Sequence, residues 1–292
     1  MPQGDFYAIL SGVFWSVSVI LMRVSGLSIP PVPLTFFKSA VAVSCFVVAV
    51  LVVGDPVFVR LESEAYVRLV ISAVLGISIA DTMFSAALNR LGASLQALAD
   101  CIYSPAIAGV GFLMFGELLG PWEMAGGALV VAGVAIGMRI TADVKSSRDL
   151  YVGIALAAGA HIIMAVGILM VRDLIREHSV IWISGVRFMI ATVVLGVVSG
   201  FRMPLKQLFL GFARRDTWKM TIPMAVLGPF AATLFWVAGF KYLTAGRAAI
   251  YNQLSTVFII LLSFFFLREK LTLRKCIGLA LAVLGSVLVA TH

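Results

Sequence analysis

This chain of 292 residues carries little charge. Asp, Glu, Lys and Arg make up 12% of it, against 61% hydrophobic residues and a mean hydropathy of +1.07. A soluble domain usually carries about a quarter charged residues, so an ordinary soluble core is excluded. Cysteine is almost missing as well. Cys45, Cys101 and Cys276 fall in or beside apolar runs without metal-ligand spacing, and they read as small core residues. There are three histidines, and none has a second close enough in sequence to suggest a metal site. No GxxxxGK[ST] loop occurs, so ATP is not expected to drive this protein. No HExxH pattern occurs either. The net charge of +8 comes without a basic patch interleaved with aromatics, so it is not a nucleic-acid signal. No cofactor, metal or nucleic-acid partner is expected.

Apolar runs are what the chain has in quantity. Residues 6–22, 150–171, 220–240, 248–267 and 276–292 contain no Asp, Glu, Lys or Arg. About 20 such residues span the hydrocarbon core as a helix, and lipid offers no partner to an unpaired backbone. The runs are continuous rather than alternating, so they are helices and not barrel strands. The fold class expected is an all-α integral membrane protein. Its helices are placed near 6–23, 34–53, 67–88, 93–115, 122–139, 150–171, 180–200, 219–240, 246–267 and 274–290. The first run ends at Arg23 without a small-residue cleavage site, so it is expected to remain as a span.

The sequence also repeats. A shift of 152 positions pairs Leu91 with Leu243, Glu117 with Glu269 and Leu119 with Leu271. It also pairs Gly126 with Gly278, Gly133 with Gly285, and Leu75-Gly76 with Leu227-Gly228. Further upstream a shift of 149 pairs Gly4 with Gly153, Arg23 with Arg172 and Lys38 with Arg187. The halves are expected at 1–142 and 143–292, five helices each. An odd number of helices makes the second half enter from the opposite side. That is the inverted-repeat design, with its site at the repeat interface near mid-bilayer.

Each half ends in a Glu-turn-helix signature, FGELLGPWEMAGGALVVAGVAIG and LREKLTLRKCIGLALAVLGSVLV. With two five-helix repeats, this resembles the drug/metabolite transporter superfamily, specifically its EamA-type permeases, over nearly the whole chain. The resemblance implies export or exchange of small metabolites, often amino acids or drug-like solutes. It also implies a central cavity lined mainly by the first, third and fourth helices of each half. One departure is visible. The family's first helix often carries a Trp-Gly pair, whereas this chain reads Trp15-Ser16, and the matching sixth helix offers His161.

Lysines and arginines favour one set of loops. Loops one, three, five, seven and nine carry about fourteen, and the alternate loops about six. The positive-inside rule then puts both termini outside, in a multi-pass protein of the plasma (inner) membrane. Monomer and homodimer both stand.

Ionisable groups inside spans are expensive and are functional candidates by default, at about 2.5 to 3.5 kcal/mol on insertion scales. Asp100 lies about two turns into the fourth helix, and its repeat mate is Asn252. Gln96 and Tyr103 share its helical face, and Pro105 frees a carbonyl nearby. A role as substrate-amine ligand or proton acceptor competes with one in packing. Asp81, in the third helix, has Thr233 as mate. It reads as a ligand or coupling site, as an interface cap near the helix end, or as one end of a salt bridge to Lys38 or Arg90. His161 stands mid-span, where a histidine suits proton coupling as well as an interhelix hydrogen bond. Lys38 and Arg187 sit close enough to helix ends to snorkel, and are expected chiefly as interfacial anchors, with pairing to Asp81 or Asp100, or binding of a substrate carboxylate, as the alternative. Trp15, Tyr103, Trp236 and Tyr251 lie on spans expected to line the cavity, where they stack on a solute or serve as core.

The function expected is that of a secondary transporter for a small metabolite (amino acid, amine or drug-like solute). It would export or exchange by alternating access, with protons as one coupling partner. An intramembrane enzyme or a channel is the alternative. Two intramembrane aspartates invite an aspartyl-protease reading, but IADTM and LADCI lack the expected glycine-rich surroundings.

Overall fold

The computed structural model describes residues 3–116, 120–138, 144, 146–242 and 245–291. The side chains of residues 3, 240–253 and 290–291 lie outside the described set. Among the described residues all regular structure is helical. The long segments are α1 (Gln3–Ser25), α2 (Pro31–Val53), α3 (Ser63–Leu91), α4 (Ala93–Phe115) and α5 (Pro121–Gly137). They continue as α6 (Ser147–Leu169), α7 (Val180–Gly200), α8 (Arg215–Gly239), α9 (Ala245–Leu267) and α10 (Leu273–Thr291). Seven of them, α1 to α4 and α6 to α8, are long and apolar enough to cross a membrane. The helix α5 and the Leu254–Leu267 part of α9 are apolar but shorter.

Local chemistry sets the ends. Pro31 opens α2, and Gly54 closes it at φ 77°, a left-handed conformation that costs glycine little. Ser146 and Ser179 cap α6 and α7, their hydroxyls accepting from the Asp149 and Trp182 amides. The connections then sort to two ends of the bundle. At one end Arg23 donates to the Leu88 and Asn89 carbonyls, and Arg90 lies 3.9 Å from Asp149. At the other, Trp182 donates to the Val57 carbonyl and Ser179 to Asp55.

Two helices are irregular in matching places. A π-helical stretch interrupts α3 at Val74–Ile79, and another interrupts α8 at Val226–Ala232. Their starts are 152 positions apart, the repeat shift. The hydrogen bonds that join these helices to the first helix of the other half also match. Ser18 on α1 donates to Met224 O at 2.8 Å, and Ser72 on α3 donates to Gly167 O on α6. Position 18 corresponds to 167 and position 72 to 224, so the two contacts are one contact with the roles exchanged.

The tightest helix pair is α5 against α10, and its geometry fixes the relation between halves. A Cβ added at Gly133 would lie 2.6 Å from the Gly278 carbonyl oxygen, and one at Gly126 would lie 2.6 Å from that of Gly285. Gly126 is the mate of Gly278, and Gly133 of Gly285. Each glycine therefore meets the mate of the other, and the two helices run antiparallel. An isologous contact of this kind is what a two-fold axis produces. Small residues at both positions let the backbones touch.

The surface is apolar where soluble proteins are polar. Val48, Leu51, Val52 and Val53 on α2, Leu113 on α4, Val193 and Val197 on α7, and Phe265 and Phe266 on α9 are all exposed. The interior meanwhile holds Lys38, Asp81, Gln96, His161 and Arg187. Apolar outside and polar within is the arrangement a bilayer demands.

Candidate functional site

A cavity of about 130 Å³ lies between the halves. Helices α1, α3 and α4 contribute to it from the first half, and α6, α8 and α9 from the second. These are the first, third and fourth helices of each half. Repeat mates face it together: Trp15 with Met164, Ile77 with Pro229, Asp81 with Thr233, and Phe84 with Trp236. Both π-helical stretches border it, through Gly76 and Ile77 on one side and Pro229 and Ala232 on the other. Such stretches are rare and often mark functional sites, because they turn side chains out of ordinary helical register.

Asp100 faces this cavity beside a break in its helix. Around Cys101 and Ile102 the bonds tighten, with Ile102 N reaching Ala99 O at 3.0 Å. The cause is Pro105, which has no N–H to offer the Cys101 carbonyl. Ser286 on α10 donates to that carbonyl instead, at 3.3 Å. Asp100 Oδ1 lies 2.9 Å from His161 Nε2 and accepts from Gln96 Nε2 at 2.9 Å. The imidazole links the halves, since His161 is on α6. Its other nitrogen, Nδ1, is buried without a hydrogen-bond partner among the described residues. Phe84 and Tyr103 enclose the ring, with centroids 6.2 and 5.9 Å away.

Asp81 pairs elsewhere. Its Oδ2 lies 3.0 Å from Lys38 Nζ, and Lys38 is wholly buried. The expected snorkelling of Lys38 to the interface is therefore corrected. Its ammonium stays inside because a carboxylate on α3 stands at the same height, which distance from the helix end does not reveal. Arg187 does not snorkel either. It is 6% exposed and lines the cavity, whereas Lys38, its mate, is not among the lining residues. With α7 the cavity thus gains a wall, built by Ser184, Arg187 and Phe188, that α2 does not supply on the other side.

The aspartates are not a pair. Asp81 is committed to Lys38, and Asp100 to His161 and Gln96. Two carboxylates sharing a proton, the basis of the protease reading, are not formed. The described residues also hold no group of three His, Cys, Asp or Glu side chains suited to a metal.

Trp15, Tyr103 and Trp236 line the cavity as expected, and Tyr103 and Trp236 stand 6.4 Å apart. The side chains of Tyr251 and Asn252 lie outside the described residues. Sequence reasoning passed over Ser11, Phe84 and Ser184, which also line it. Only the helical register could have flagged Ser184, three residues before Arg187 on one face. It likewise passed over what the signature glutamate does. Glu269 is buried and accepts from the Ala93 and Ser94 amides at 2.8 Å each, capping α4. Lys275 completes that cluster, donating to Ser94 Oγ at 2.8 Å.

The fold has counterparts. A solved crystal structure of a protein only 18% identical superposes with a TM-score of 0.73, over 99% of this chain and 96% of that one. An uncharacterized transporter of Archaeoglobus fulgidus is 31% identical over 119 residues, 40% of this chain and 39% of the relative. The uncharacterized transporter YetK of Bacillus subtilis is 30% identical over 142 residues, 49% of this chain and 41% of the relative. The chain thus matches about two fifths of the length of these curated relatives. The model of the EamA-like transporter family, whose members are transporters rather than enzymes, matches twice, at residues 2–138 and 151–291. With both halves of the chain matched, the protein belongs to that family.

Proposed function

We propose that this protein is a secondary transporter that moves a small metabolite across the membrane by alternating access. The observation that carries the reading is the cavity itself. It sets charged and hydroxyl side chains among apolar and aromatic ones, is bordered by repeat mates from both halves, and lies within an apolar exterior. In this reading all ten long helices cross the bilayer, as two inverted five-helix repeats meeting near residues 142 and 143. The exchanged-role contacts of Ser18 and Ser72, and the antiparallel glycine crossing, support inversion. Rocking of one half against the other then exposes the cavity to each side in turn.

The solute is an amino acid, an amine or a related drug-like compound, exported or exchanged. Asp100 with His161 forms the acidic side of the site and is the proton-coupling candidate. Trp15, Tyr103 and Trp236 supply ring faces, while Asn252 and Tyr251 extend the site from α9. The working protein is multi-pass in the plasma membrane with both termini outside, as monomer or homodimer.

Reconstitution tests this. Proteoliposomes preloaded with amino acids or amines should show saturable counterflow of the same labelled solute. Linear, unsaturable flux would mean a channel, and cleavage of a membrane peptide would mean an enzyme.

A further inference from the structure

The two halves carry the same buried cation but not the same acid. Lys38 has Asp81 at 3.0 Å, and at the positions of the second half stand Arg187 and Thr233. Thr233 is uncharged, and its hydroxyl donates to the Gly228 carbonyl of its own helix at 3.4 Å. Arg187 forms no ion pair among the described residues, and its Nε has no hydrogen-bond partner there. Asp81 is near enough to feel its charge, but it is already bound to Lys38. A buried charge left without a partner costs several kcal/mol. A fold that keeps one facing a cavity implies that something entering the cavity completes it.

Other donors converge there. Ser184, 1% exposed and one turn before Arg187, has an Oγ without a partner among the described residues. The Tyr103 hydroxyl, on a side chain that neighbours Arg187, likewise has none among them. All three residues line the cavity. Room for the guanidinium comes from Gly76 in the π-helical stretch of α3, where an added Cβ would lie 3.0 Å from Arg187 Nη2. A guanidinium presents parallel N–H donors that match a carboxylate or phosphate, and two hydroxyls can donate to the same oxygens.

We propose that Arg187, Ser184 and Tyr103 form an oxyanion subsite that holds a carboxylate or phosphate of the solute. The subsite rests on the reading of this cavity as a solute site, and narrows the solute to one bearing an acidic group. Lys38 is not its equivalent, because it is paired with Asp81 at 3.0 Å and does not line the cavity.

The test measures binding without transport. The full chain in nanodiscs is titrated by equilibrium dialysis with 3-phenylpropionate, phenyl phosphate, 3-phenylpropanol and 3-phenylpropylamine. At least one acid should bind about tenfold or more tightly than the alcohol, the scale of a charged hydrogen bond, and the stronger acid identifies the oxyanion. Arg187→Gln should remove that preference, while Arg187→Lys restores part of it. Thr233→Asp keeps the arginine but gives it the acid that Lys38 already has. It should raise the melting temperature and abolish acid binding. Equal binding of alcohol and acids, tighter binding of the amine, binding of no probe, or acid binding that survives in Thr233→Asp overturns the proposal. Counterflow of an amine without acid binding overturns the subsite but spares the carrier. Acid binding without counterflow of any of the four probes does the reverse.

Discussion

Asp81 and Asp100 are both intramembrane aspartates, yet their partners predict opposite phenotypes. Asp81 neutralises a lysine that has no water to turn to. Replacing it with asparagine strands that ammonium, at a cost of about 3–5 kcal/mol. Lys38→Met strands the carboxylate instead. The double variant Lys38→Met with Asp81→Asn should cost much less than the sum, leaving a coupling of about 2 kcal/mol in an unfolding cycle in mild detergent. Additive costs would show that the pair contributes little. Asp100 keeps neutral or titratable company, Gln96 and His161, so Asp100→Asn leaves no fixed charge stranded. It should melt close to wild type and lose solute flux or its pH dependence, read as initial rates across about pH 5 to 8. A variant that transports normally throughout that range would make Asp100 a packing residue. Identical flux profiles for the two aspartate variants would deny them separate roles.

At the scale of the element, contact geometry sets the expected costs. Gly133→Ala puts a methyl 2.6 Å from a backbone carbonyl that has no rotamer to escape into. Overpacking of this kind costs about 1–3 kcal/mol. Gly127→Ala, one helical face away, meets the Pro105 Cβ at an ordinary 3.6 Å and should be nearly neutral. Thermal unfolding in detergent separates the two, and equal losses would mean that helix propensity rather than the crossing is responsible. The importance of these glycines was legible in the sequence because Gly126, Gly133, Gly278 and Gly285 recur on one repeat shift. The cavity-lining helices were legible through the family resemblance. The π-helical stretches were not, since VLGISI and VLGPFAA read as ordinary apolar helix and the extra residue shows only in the hydrogen bonds. The burial of Lys38 was legible only as an alternative, the salt bridge to Asp81, because the sequence does not show that the two side chains stand at one height on different helices. The glutamate of the signature was visible as a pattern, but its task as a cap on α4 depends on a contact 176 positions away.

For the whole molecule, the order of loops decides how the two halves sit in the bilayer. The contacts gather the odd connections at one end: Arg23 with the end of α3, Arg90 with Asp149, and Glu269 with the start of α4. The even connections meet at the other, through Ser179 with Asp55 and Trp182 with Val57. In the proposed arrangement, a chain that alternates between two ends in this way crosses the membrane at each long helix, α5 and α10 included. The odd end also carries most of the lysines and arginines, so the proposed orientation puts it in the cytoplasm. Single cysteines check both points. In a background with Cys45, Cys101 and Cys276 replaced by serine, Ser146→Cys lies on the odd end and Phe58→Cys on the even end, both exposed. A membrane-impermeant maleimide applied to intact cells should label Phe58→Cys, and should reach Ser146→Cys only after permeabilisation. The reverse pattern would keep the alternation and invert the orientation. Labelling of both from outside would break the alternation, and with it the inverted repeat on which a cavity open to each side in turn depends.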